Sequence, residues 1–172
     1  MVVVLLVVGC TCNEIKEKLL PSFSVSIPAI KLTVPPLPSV TNEEIPVGAL
    51  KTPINMDSTI RANTAGAFGA NSVHRVKVKK LVITSSNADN ANNLSNFESA
   101  RMTIFNDTAS TDIAVIQFPK NYTDSITYTP VASPEISSYL RGLNLSYNLY
   151  WKNRKKTTKF LKLNVQVTLG VQ

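Results

Sequence analysis

Leu143-Asn144-Leu145-Ser146-Tyr147-Asn148-Leu149-Tyr150-Trp151, followed after a basic break by Leu161-Lys162-Leu163-Asn164-Val165-Gln166-Val167-Thr168-Leu169, decides the fold. In both runs every second residue is apolar, which is the period of a strand with one buried face. A helix would place its apolar residues three and four apart instead. Asn153 to Thr158 between them has turn chemistry. Two strands of this kind belong to an antiparallel sheet packed on a second layer, and the short connection predicts that they pair as a hairpin.

Upstream the same period recurs. Phe23, Val25 and Ile27 alternate, and Ile30, Leu32 and Val34 resume the pattern with shifted phase after Pro28-Ala29. A proline there places the pair at a sheet edge or a bulge. Val73 to Thr84 reads as a long strand whose apolar parity switches between Val78 and Leu81, so a bulge is expected near Lys79-Lys80. Further strands are expected over 98–105, 113–118 and 125–129, with a helical turn at 94–97. Residues 39–72 are less regular and read as one or two short strands and loops. Ser133-Pro134-Glu135 has an N-cap serine, a first-turn proline and an acid, which predicts a short helix from Pro134 to about Leu140 ended by Gly142. The expected fold is all-β: an antiparallel β-sandwich, Ig-like or jelly-roll-like, of seven or eight strands with one short helix, over residues 23–172.

The chain has 172 residues, ten prolines and a net charge of +7. Its length suits one domain plus a tether. The charge suits an acidic partner as well as solubility. No basic-aromatic motif or recognition-helix pattern points to nucleic acid. Hydrolytic triads need a histidine, and His74 stands alone on a strand, so no catalytic residue is assigned and no enzyme activity is expected. No cofactor is expected, and no metal site either. Asn87, Asp89, Asn90, Asn92 and Asn93 could offer oxygens to calcium, but without the glycine and closing Glu of a calcium loop they read as turn residues.

Val2 to Val8 is an unbroken apolar run followed by Gly9-Cys10. It is short of the roughly 20 residues that span a bilayer and has the length of a signal-peptide core. With Gly-Cys at its end it reads as a lipoprotein signal peptide over 1–9, with Cys10 as the lipidated residue and 10–22 as a tether. The alternative is a buried N-terminal strand, because no Lys or Arg precedes Lys16. Cys12 is then left as an odd thiol.

Two basic clusters stand out. Lys152, Arg154, Lys155, Lys156, Lys159 and Lys162 surround the expected hairpin turn, and Arg75, Lys77 and Lys79 share one face of their strand. Either is a solvated rim that blocks edge pairing or an anion-binding patch, with the hairpin tip as the candidate site. Tyr122, Tyr128 and Tyr150 are candidates for stacking on sugars.

Lys80 to Met102, with its Leu-Val-Ile-Thr strand, Asn-rich loop and following strand, together with Ser138-Tyr139-Leu140 ahead of two long final strands, resembles a group of uncharacterised cell-envelope lipoproteins of the Bacteroidota. The resemblance implies a C-terminal β-sandwich domain, an outer-membrane location on either face, and O-glycosylation at Asp-Ser/Thr triplets. Three of the five aspartates begin such a triplet, placing candidate glycans on Ser58, Thr108 and Ser125, expected in loops or strand edges. Asn-x-Ser/Thr sequons at Asn93, Asn106, Asn121 and Asn144 matter only in a eukaryotic source. The function expected from all this is that of a lipid-anchored, non-enzymatic envelope protein. It would be a binding or structural accessory such as an adhesin, a surface or filament subunit, or a component of an outer-membrane complex. The alternative is a carbohydrate-binding module on the cell surface. Its partners would be the membrane, through the lipid anchor, and envelope proteins or glycans.

Overall fold

The structure is a computed structural model that describes residues 22–40, 42–140 and 144–172. The signal-peptide and tether assignments, with Cys10, fall outside these residues apart from Ser22, as do Leu143 and Gly142.

Among the described residues nine strands, more than the seven or eight expected, form two antiparallel sheets. They are β1 (Phe23–Ser26), β2 (Ile30–Val34), β3 (Ile45–Pro53), β4 (Val76–Ser85), β5 (Phe97–Phe105), β6 (Ser110–Gln117), β7 (Ser125–Tyr128), β8 (Asn144–Asn153) and β9 (Leu161–Val171). One sheet runs β1-β9-β4-β7, with β2 also on β9, and the other runs β3-β8-β5-β6. β1 and β2 lie end to end on one edge of β9, against 168–171 and 161–165. The break at Pro28 falls on that edge, where a missing N–H is harmless. The bulge expected in β4 lies between Val78 and Lys80. It turns Lys79 and Lys80 both outward, while Val78 and Leu81 stay buried.

The final two strands are not a hairpin. β8 is central in the four-stranded sheet and β9 is central in the five-stranded sheet, so residues 154–160 cross from one layer to the other. Their alternation is real, but their apolar faces meet across the core instead of lying side by side. Tyr147, Trp151, Leu163 and Val167 are all buried there. At one end Trp151 packs on Phe97, 4.5 Å between ring centroids, and on Phe118 at 5.6 Å.

Two expectations for helix are corrected. Among the described residues the α-helix is α1 (Met56–Asn63), in the stretch read as strands and loops. Asn55 caps it by accepting from the Ser58 N–H at 2.9 Å, Asp57 and Arg61 pair four residues apart, and Met56 and Ile60 form its buried face. The segment from Pro134 has no regular structure before a 3-10 turn at Ser137–Leu140. The residues that imitate a helix start serve the edge of β4 instead. The Ser133 hydroxyl accepts from the Val78 N–H and the Glu135 carboxylate from the Val76 N–H, each at 2.9 Å, and the Ile136 N–H bonds the Val76 carbonyl. These contacts satisfy an edge that β7 is too short to cover.

Candidate anion-binding face

A strand with one buried face presents every other side chain to solvent, so each sheet has an outer face composed of its polar positions. The two outer faces differ in charge. In the four-stranded sheet each acid sits beside a base. Arg101 bridges Glu44 at 2.6 Å and Asp112 at 3.1 Å and lies 4.1 Å over the Tyr150 ring, and Lys152 pairs with Glu98 at 2.8 Å. The two carboxylates hold the Arg101 guanidinium well above its ordinary pKa, against the opposing effect of burial.

The strands of the five-stranded sheet contain no Asp or Glu. Lys77, Lys79 and Lys80 on β4, Lys31 on β2 and Lys162 on β9 are exposed, and Arg75 joins them two residues ahead of Lys77. None of the six is in an ion pair among the described residues. Between them the face carries hydroxyls and amides: Ser26, Thr84, Asn164, Gln166 and Thr168. From Lys162 to Gly170 the track is about 26 Å long at about 3.3 Å per residue.

At the Gly170 end the face deepens into a groove of about 570 Å³. Its walls include Ser22, Arg75, Lys77, Lys79, Val131 and Gln172. The Lys79 stem lies across β9, and its Nζ donates to the Ser24 hydroxyl on β1 at 3.0 Å. Gly170 makes that path available, because a Cβ there would come within 3.1 Å of Lys79 Cγ and Cε. Glu135 is near in sequence to this wall; burial, the largest single effect, pushes its carboxyl up, but the N–H groups it accepts from together outweigh burial and hold it below the usual range.

The basic residues around 152–162 are not assembled into one patch. Lys152 is paired with Glu98, Lys159 with Asp89 at 2.6 Å, and the Arg154 guanidinium donates to the carbonyls of Ser95, Phe118 and Pro119. Lys155 and Lys156 are exposed, and Lys162 belongs to the outer face of β9.

The Asn-rich loop holds this crossing in place. Asn92 Oδ1 accepts from the Thr158 N–H at 2.7 Å, Asn87 brackets Phe160 and Lys162, and Asn96 donates to the Lys156 carbonyl. The Asp89 carboxylate accepts from Lys159 and from Asn92, which pulls its pKa down to about 2. Its oxygens are engaged in turn bonds, and no cluster of three metal-binding acids, His or Cys occurs among the described residues.

The three tyrosines do not converge. Tyr122 is 52% exposed on a loop, Tyr128 packs against the core, and Tyr150 lies under Arg101 on the opposite sheet. Ser58, Thr108 and Ser125 are all exposed. Thr108 lies in the β5–β6 turn and Ser125 on edge strand β7, as expected, whereas Ser58 is in the first turn of α1.

No family model matches the chain. No curated protein matches it either, so no family or lineage is identified. Among solved structures it is similar to the family 32 carbohydrate-binding module from C. perfringens NanJ, determined in complex with galactose. The two are 11% identical over 84% of this chain and 99% of that one, with a TM-score of 0.38. A likeness at that level transfers neither ligand nor residues.

Proposed function

We propose that this chain is a non-catalytic binding domain, anchored at the cell envelope through Cys10, that holds an acidic glycan on the outer face of its five-stranded sheet. One observation carries the reading. Six exposed cations stand on a face whose strands have no carboxylate, while the other sheet pairs its acids with bases. Amides and hydroxyls along the same face suit sugar hydroxyls, and the cations suit carboxylate, sulfate or phosphate groups on the chain.

Binding to immobilised polygalacturonate and to dextran, a neutral glucan, tests this. We expect retention on the acidic polymer alone. It should weaken steeply with salt, because the screening length contracts from about 30 Å at 0.01 M to about 3 Å at 1 M. Equal retention on dextran, or binding indifferent to salt, overturns the reading. The anchor is checked by the mass of the mature protein from its native membrane, which should begin at Cys10 and include acyl chains.

A further inference from the structure

The groove end of the cationic face has two features that a soluble glycan would not need. Val131 is 106% exposed, the most exposed large hydrophobic side chain among the described residues, and it is flanked by Pro130 and Ala132. It stands on the wall of the groove that contains Arg75, Lys77 and Lys79. Ser22 lines the same groove, so the segment that follows Cys10 enters the domain at its rim. From Cys10 to Ser22 is twelve residues, a reach of about 40 Å at most. An anchor at Cys10 therefore holds this end of the sandwich within about 40 Å of the bilayer.

We infer that the acidic glycan is lipid-linked and is met in the membrane that anchors the chain. The inference rests on the acidic-glycan reading above. Val131 touches the boundary between head groups and acyl chains. Arg75, Lys77 and Lys79 hold the phosphates or carboxylates of the glycolipid head group beside it, and the hydroxyl and amide track continues along the saccharide. An apolar tip beside cations gains from such a surface twice, by burying the tip and by the negative surface potential.

The test compares the full chain with Val131→Ser and with a combined Arg75→Ala, Lys77→Ala, Lys79→Ala variant, all with the same N-terminal segment. Each is floated with phosphatidylcholine vesicles that are plain, carry lipopolysaccharide, or carry phosphatidylglycerol at matched charge. Each is also titrated with the water-soluble acidic oligosaccharide released from that lipopolysaccharide. We expect the native chain to prefer lipopolysaccharide vesicles to both others. Val131→Ser should weaken that binding about tenfold, the effect of losing one buried valine, and should weaken binding of the free oligosaccharide much less. The triple variant should lose both.

If Val131→Ser changes nothing while the triple variant still abolishes oligosaccharide binding, the membrane inference fails and the glycan reading stands. Equal binding to phosphatidylglycerol vesicles shows that any anionic bilayer suffices and overturns the glycolipid. A triple variant that binds the oligosaccharide as well as the native chain overturns the glycan reading itself.

Discussion

Tyr147 shows at the scale of one residue how close the core comes to a purely apolar solution. Its side chain is fully buried on β8, level with Leu50 and Ile104, and its hydroxyl has no hydrogen-bond partner among the described residues. Desolvation raises its pKa well above the ordinary phenol range. A buried hydroxyl without a partner carries its desolvation penalty uncompensated. Tyr147→Phe should therefore raise stability, by about 1 kcal/mol. In thermal unfolding that is an increase of about 2–4 °C for a chain of this size. Tyr147→Ala, which empties the ring's volume, should lower stability by about 3–5 kcal/mol. A melting temperature that falls in the Phe variant would show that the hydroxyl is hydrogen-bonded after all. Glycine at 170 is a different single-residue device, since it only clears a path for the Lys79 stem toward Ser24.

Among the elements, α1 is the one whose capping can be tested alone. Asn55 satisfies the Ser58 N–H, and Asp57 reaches out of the helix to the Ala70 N–H at 2.9 Å, fastening the 3-10 turn at Ala70–Ser72. Asn55→Ala should lower the denaturation midpoint by the equivalent of about 1 kcal/mol without changing the slope. An unchanged midpoint would show that packing of Met56 and Ile60 holds the helix without its cap. The helix was hidden in the sequence because only those two residues repeat at helical spacing, and Pro53 stands just ahead of them. Strand faces were legible, because alternation reports directly which side of Val76, Ile104 or Leu163 is buried. Strand partners were not. The period of β8 and β9 is the same whether the chain folds back as a hairpin or crosses between layers. Ser133 and Glu135 show the converse problem, where side chains able to start a helix found edge N–H groups to serve first. The candidate site was legible only in part. Arg75, Lys77 and Lys79 follow from one strand's parity, but Lys31 and Lys162 reach the same face only through the pairing of β2, β9 and β4. The cluster that looked dense in sequence, 152–162, is divided among an ion pair with Glu98, another with Asp89 and three loop carbonyls.

For the molecule as a whole, the net charge of +7 says less than where the charges lie. A uniformly basic protein attracts any polyanion through its long-range field, whereas a local site depends on particular cations. The sandwich separates the two cases because the strands of one outer face contain no acid and the other face pairs its charges. Replacing Arg75, Lys77 and Lys79 by Glu, and in a second variant Lys120, Lys155 and Lys156 by Glu, gives two proteins of equal net charge. All six side chains are exposed, and none is in an ion pair among the described residues. If the face is the site, the first variant should lose binding to polygalacturonate at moderate salt, because three attractive contacts become repulsive. The second should keep most of its affinity, with a slower association rate that reflects only the weakened overall field. The reverse ranking would move the site to the crossing between β8 and β9, where Lys155 and Lys156 stand exposed. Equal losses would mean that the field of the whole molecule acts and that neither surface recognises its ligand.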